Sequence, residues 1–225
     1  MRIALAQLNP TVGQIERNAE KIGEAIDRAA QQAAELVVFP ELSLLGYPPK
    51  DLLLKEDLIE RCDAALEQVA GHCRDTAALV GTVRHNAGRG LPLFNAVALC
   101  ESGRVVAEAT KLLLPTYDVF DERRYFQPAE SASVIDFHNV RLGLSICEDL
   151  WNDEAMFERR LYDLEPAVDL AGRGAQILIN CSASPFVVDK HKFRRELFSH
   201  TARRHGLPLV YCNQIGGNDE LLFDG

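Results

Sequence analysis

The chain has no C-x-x-C pair and no Cys/His group at zinc-ligand spacing among its 225 residues. That sets aside the common zinc-bound and dithiol sites. No apolar run approaches the roughly 18 residues a membrane span requires. The opening segment Met1-Arg2-Ile3-Ala4-Leu5-Ala6-Gln7-Leu8 is too short for a signal-peptide core and runs straight into a fold-like pattern. Basic residues are also scarce. Lys and Arg total 24 against 33 Asp and Glu, a net charge of −9. A nucleic-acid binder usually carries a basic domain or stripe, so that class is excluded, and membrane association is not expected. No G-x-x-x-x-G-K phosphate loop occurs.

What remains is ordinary globular material, with 47% apolar and 25% charged residues. The length suffices for a substantial core without metals or disulfides. Six scattered, unpaired cysteines fit a reducing cytoplasm. Residues 3–8 read as a buried strand. From Ile15 the period changes: Ile15, Ala19, Ile22, Ile26, Ala29 and Ala33 form one face of an amphipathic helix. Residues 36–39 make a second strand, ended by Pro40, with Glu41 directly behind it. Such a βαβ unit puts functional groups at the carboxyl ends of strands.

Further along, residues 42–51 form a loop carrying Tyr47, and residues 56–73 follow a helical pattern. Strands are expected at 78–83, 94–100 and 104–110, the last ending at Lys111. Residues 116–127 have neither period but hold four aromatics, as an ordered loop would. Strands follow at 134–137, 141–147, 176–180 and 207–213. Residues 154–172 read as mostly helical with a break at Pro166, 181–186 as a loop, and 191–205 as a basic helix. With no linker or low-complexity stretch, this is one α/β domain of mixed sheets covered by helices.

Three polar residues each follow an apolar strand: Glu41, Lys111 and Cys147. Singly each has an innocent reading, as loop carboxylate, surface charge or small buried hydrophobe. Together each needs the others. A thiol is a weak nucleophile until deprotonated, and a neighbouring cation lowers its pKa. Lys111 could do that and hold the negative oxygen of a tetrahedral intermediate. Glu41 could take the thiol proton and pass it to a departing amine.

The segments Val38-Phe39-Pro40-Glu41-Leu42, Lys111-Leu112-Leu113-Leu114-Pro115 and Ile146-Cys147-Glu148-Asp149, in that order, resemble the nitrilase (carbon–nitrogen hydrolase) superfamily across essentially the whole chain. The resemblance implies an α-β-β-α sandwich with Glu41 as general base, Lys111 as oxyanion and positioning residue, and Cys147 as nucleophile. It implies a second oxyanion donor in the backbone N–H of Glu148. It also implies a second glutamate, Glu122, that orients Lys111. More finely, the stretches 46–53, 115–126 and 182–186 look like those of the glutaminase domains of glutamine-dependent NAD+ synthetases. That likeness implies a glutamine pocket shaped by Tyr47, Tyr117 and Phe120, with Ser184 and Lys190 at the zwitterionic end of the substrate. Lys190 also fits a solvated basic helix face.

A Cys-His-Glu glutaminase is excluded, because no histidine is followed two residues later by glutamate. Glu148-Asp149 alone is a weak metal signal, and acids after a strand often cap a helix. The glycines of Ile215-Gly216-Gly217-Asn218-Asp219 read as a strand-to-turn segment. A free-standing amidase or carbamoylase of the same superfamily and a catalytically dead interaction module are the competing readings. By resemblance, no cofactor is expected in this domain. ATP and Mg2+ would serve a synthetase domain that amidates deamido-NAD+ and is absent from this chain. The chain is expected to be truncated at its C-terminus and to form homo-oligomers.

Overall fold

In the computed structural model, which describes residues 1–225, strand β1 (Ile3–Leu5), helix α1 (Ile15–Gln31) and strand β2 (Leu36–Val38) form the expected βαβ unit, with β1 and β2 parallel. Ile15, Ala19, Ile22, Ile26 and Ala29 are buried along one face of the helix. Ala33 falls beyond it, exposed, with a φ of 54°. Helix α2 (Leu58–Ala70) leads to β3 (Ala77–His85), β4 (Leu93–Glu101) and β5 (Arg104–Thr110). These complete a first sheet of order β1-β2-β3-β4-β5. The second sheet has β6 (Ser133–Phe137), β7 (Val140–Ile146), β8 (Ile177–Ser182) and β9 (Leu209–Asn213) in that order. It is covered by α3 (Pro166–Gly172) and α4 (Lys190–His205). No helix is long and apolar enough to cross a membrane.

Alternation along the strands explains the layering. Val37 and Val80 point one way, into a core with Ile22, Ile26, Leu66 and Val69 of α1 and α2. Leu36, Val38 and Leu79 point the other way, against Leu142, Leu144, Ile146 and Ile179 of the second sheet. Beyond that sheet, Leu150, Ala167, Leu197 and Phe198 pack under α3 and α4. Helix, sheet, sheet and helix follow one another, the α-β-β-α sandwich implied by the motifs. Strands buried on both faces carry apolar residues at consecutive positions rather than alternate ones.

Four expectations shift. The first strand is short and lies at a sheet edge, so Leu5 is half exposed rather than buried. Residues 154–165 are irregular, and the helix begins at Pro166. Proline lacks an N–H and has a preset φ, which suits the first helical position and no later one. The preceding turn is tied instead by Asn152, whose amide donates to the carbonyls of Tyr162 and Leu164. Cys181 and Ser182 continue β8 instead of starting a loop. Cys147 is the first residue of a 3-10 turn, not the last of its strand. At the far end, β10 (Ile215–Asn218) and β11 (Leu221–Asp224) form a hairpin that buries Leu221 and Phe223 in the first core.

Two contacts decide how the strand ends face one another. Pro40-Glu41-Leu42 runs directly over Gly81 of β3, where a Cβ would stand 2.2 Å from the Pro40 oxygen and 2.4 Å from the Leu42 nitrogen. Only glycine admits so close an approach. Asp149 is the second contact. One carboxylate oxygen accepts the N–H groups of Leu112 and Leu113 at 3.1 and 2.8 Å, and the other accepts that of Ile146 at 2.8 Å. A single buried side chain therefore ties the segment after β5, in one sheet, to the turn after β7, in the other.

Gly81→Ala is expected to cost about 1–3 kcal/mol or more, because the obstruction is backbone and cannot rotate aside. A urea midpoint equal to wild type would contradict this packing. Asp149→Ala leaves three buried N–H groups without an acceptor, at about 1 kcal/mol or more each. A calorimetric loss below about 1 kcal/mol would show that Asp149 is not the tie between the sheets.

Candidate active site

Because β3 is parallel to β2, and β5 is antiparallel to β4 as β4 is to β3, Glu41 and Lys111 emerge at the same edge of the first sheet. Lys111 Nζ lies 2.6 Å from Glu41 Oε1 and 2.7 and 2.9 Å from the two oxygens of Glu122. All three side chains are buried. Glu122 is thus turned inward onto Lys111 and does not pair with Arg123 or Arg124 at the surface. Burial opposes the charge on Lys111, but Glu122 and Glu41 outweigh it and hold the ammonium protonated well above the usual lysine range. Burial, with help from the Glu41 charge, raises Glu122 to about 7, against the pull of Lys111 and the Tyr47 hydroxyl. Tyr47 donates to Glu122 Oε1 at 2.9 Å. Asn95, on β4, donates to Glu41 at 2.7 Å and to Glu122 at 3.3 Å, and its carbonyl accepts the Lys111 N–H.

Cys147 opens its turn with a φ of 41°, a left-handed conformation unusual for a residue with a Cβ. Asn180 of β8 steadies it by donating to the Ser145 hydroxyl at 3.0 Å and the Cys147 carbonyl at 3.4 Å. Burial and then the Glu41 charge push the thiol well above its ordinary value, and Lys111 and the nearby Ser182 hydroxyl only partly offset them. The expectation that Lys111 would ionise the thiol is therefore corrected. Lys111 is already engaged by two carboxylates, and burial favours the protonated thiol.

Around this centre the other predicted residues fall into two groups. Tyr47, Phe120 and Glu122 line a cavity of about 220 Å3 together with Leu53, Tyr125 and Phe126, but Cys147 is not in its wall. Tyr117 instead donates to the Glu148 carboxylate at 2.9 Å and meets Phe120 edge to face. Glu148 therefore offers a side chain fixed by two phenols, since Tyr162 also donates to it at 3.1 Å. Ser184 is buried, its N–H and carbonyl bonded to the Asn213 amide. Lys190 begins α4 with its ammonium 4.9 Å from the Trp151 ring centre. Burial lowers its pKa, while Cys147 and Glu148 are close enough to raise it. Its side chain is partly buried, with the ammonium over the Trp151 ring rather than free in solvent.

Asn95, Tyr162, Asp149, Ser182 and Asn180 were not among the expected site residues. Asn95 left a trace, as the lone amide in the apolar run Leu93-Phe94-Asn95-Ala96-Val97-Ala98-Leu99. Asn180 interrupts its own apolar run in the same way. Tyr162 left none, because it reaches Glu148 from irregular chain.

The carbon-nitrogen hydrolase family pattern matches residues 2–225. A glutamine-dependent NAD(+) synthetase from Synechocystis is 48% identical over 99% of this chain and 41% of its own length. A solved glutamine-dependent NAD+ synthetase from Acinetobacter baumannii superposes with a TM-score of 0.89 at 34% identity, covering 99% of this chain and 40% of that one. This chain thus spans about two fifths of these relatives' length. An amidase from Nesterenkonia sp. AN1, solved with the acetamide moiety of fluoroacetamide added covalently at its active-site cysteine, superposes at 0.83 with 28% identity. The match covers 100% of this chain and 80% of the amidase. With the family pattern running through all three strand-end residues, the chain belongs to the carbon-nitrogen hydrolase family.

Proposed function

We propose that this chain is the glutaminase domain of a glutamine-dependent NAD+ synthetase. The observation that carries the reading is the burial of Lys111 between Glu41 and Glu122, next to a protonated thiol. An ammonium with three N–H groups spends one on Glu41 and shares one between the Glu122 oxygens. The third remains for an oxyanion. Cys147 attacks the side-chain carbonyl of glutamine while Glu41 takes the thiol proton. The carbonyl oxygen becomes the oxyanion, held by Lys111 and the backbone N–H of Glu148. On collapse the C–N bond breaks, Glu41 returns its proton to the leaving nitrogen, and ammonia departs. Water, deprotonated by Glu41, attacks the thioester and releases glutamate with the thiol restored.

The rim suits a zwitterion. Glu148, Tyr117 and Tyr162 offer a negative end for an α-ammonium, and Lys190 with Ser184 a positive end for an α-carboxylate. In this reading the ammonia passes to a synthetase part that uses ATP and Mg2+ to amidate deamido-NAD+. The residues of this chain present no group of three His, Cys, Asp or Glu placed to hold a metal ion. In this reading the amidation step belongs to the other part. The setting is cytoplasmic, and assembly into homo-oligomers accompanies it.

Incubation with an electrophilic glutamine analogue is expected to add one label, on Cys147, by intact mass and peptide mapping. Cys147→Ala should abolish label and glutamine hydrolysis together. Label spread over the other cysteines would overturn the assignment of the nucleophile, and hydrolysis of simple amides but not glutamine would favour a free-standing amidase. Given glutamine, ATP and deamido-NAD+, the chain alone is expected to form glutamate but no NAD+. Formation of NAD+ would overturn the division of labour.

A further inference from the structure

The buried polar side chain with the most at stake outside the proposed catalytic set is Asn95. It is fully buried on β4. Its Nδ2 contacts both glutamates, and its Oδ1 has no partner at all. A buried, unpaired acceptor is destabilising, a penalty that an apolar side chain filling the same space avoids. The amide orientation follows from its surroundings, since turning it over would set Oδ1 against two carboxylates. Asn95 is thus held in the core for its donor group.

The two oxygens of Glu41 differ sharply. Oε1 accepts from Lys111 at 2.6 Å and from Asn95 at 2.7 Å. Oε2 accepts only the Ala183 N–H, at 3.2 Å. An oxygen holding two short donors, one of them cationic, is the poorer proton acceptor. We propose that Asn95 is a positioning residue that clamps Glu41 Oε1 and leaves Oε2 as the atom that receives the Cys147 proton. The same residue seats Lys111 through its main chain, because its carbonyl accepts the Lys111 N–H at 2.9 Å. One residue of β4 thereby sets the base and the ammonium relative to each other. The inference rests on the reading of Glu41 as base and Cys147 as nucleophile, but not on glutamine as substrate.

The charged and titratable groups around Glu41 come from every neighbouring element. They are Lys111 and Glu122 after β5, Tyr47 after β2, Cys147 and Glu148 after β7, and Cys181 on β8. Asn95→Asp adds another carboxylate at a position touching both glutamates. Like charge favours protonation of Glu41, so the pH at which the base becomes available must rise. Asn95→Ser replaces the amide donor by a hydroxyl with a shorter reach, so the clamp loosens without added charge.

The test follows alkylation of Cys147 by iodoacetamide from pH 5 to 9, by intact mass, alongside kcat and KM for glutamine and a melting curve. In the wild type the rate is expected to rise with pH along a limb set by loss of a proton from the cluster around Cys147. Asn95→Asp should move that limb up by about one pH unit or more, which is about a tenfold slower rate at fixed pH on the limb. In that variant kcat should fall by the same factor with KM unchanged. Asn95→Ser should shift the limb less and lower kcat less. If Asn95→Asp does not fold, Asn95→Ser decides. Folded variants with the wild-type limb overturn the proposal. So does a wild-type rate that is flat across this pH range. If neither variant folds, Asn95 is a structural residue and the proposal also falls. A limb that shifts as expected in a chain that does not turn over glutamine would sustain the role of Asn95 and overturn the glutaminase reading alone.

Discussion

The fold is organised around a lysine that water does not reach. Burying an ammonium costs several kcal/mol unless its charge is answered at close range. Lys111 is answered twice, by Glu41 and Glu122. Removing either glutamate would leave a charge in the core, and removing the lysine would leave two. The cluster is therefore self-consistent only as a whole. Each member comes from a different stretch of chain: Glu41 from behind β2, Lys111 from the end of β5, Glu122 from the loop beyond. The site can form only once the first sheet has formed, so its assembly is tied to that of the core.

The cluster holds the ammonium and two carboxylates in place, and the thiol comes from the opposite sheet. Nothing in the packing of Leu36, Val38, Leu144 and Ile146 between the sheets would by itself fix the thiol to ångström accuracy. Apolar contact is non-directional. The directional part comes from Asp149, which bonds to both sides. Gly81 acts on the other partner by letting the Glu41 backbone lie on β3. One residue removes an obstruction and the other adds a tie, and between them base, ammonium and thiol share one end of the sandwich.

What the sequence disclosed has a physical pattern. Strands and helices were legible because they depend on local apolar pattern, as in α1 and β3, whereas the layer order followed from the family resemblance. Glu41, Lys111 and Cys147 were legible because each breaks an apolar run at a strand end. The extent of the first strand was not, since edge position is a property of the sheet and not of Ile3-Ala4-Leu5. Residues 154–165 read as helix because their composition permits one, but Asn152 captures the carbonyls of Tyr162 and Leu164 before a helix can use them. Asn95 and Tyr162 were missed for a shared reason. Their importance lies in what they touch across the fold, and Asn95 is distant in sequence from Glu41. The thiol's protonation was misjudged because proximity to Lys111 was visible and the burial that outweighs it was not.

That last point bears on how the chemistry fits the site. Above about pH 7, where Glu122 ionises, the three-residue cluster carries one net negative charge and the thiol is neutral. A prior ionisation of Cys147 would put a second negative charge beside the first, in a medium where like charges repel far more strongly than in water. In the proposed reaction, transfer of the thiol proton to Glu41 during attack avoids this. The cluster becomes neutral as the substrate oxygen becomes negative, and Lys111 lies between the charge that disappears and the charge that forms. The total does not change; its centre moves by a few ångströms within reach of one ammonium. A protonated thiol is in this sense the resting state that a buried Glu-Lys-Glu cluster demands, and a thiolate-forming cation pair would be incompatible with it.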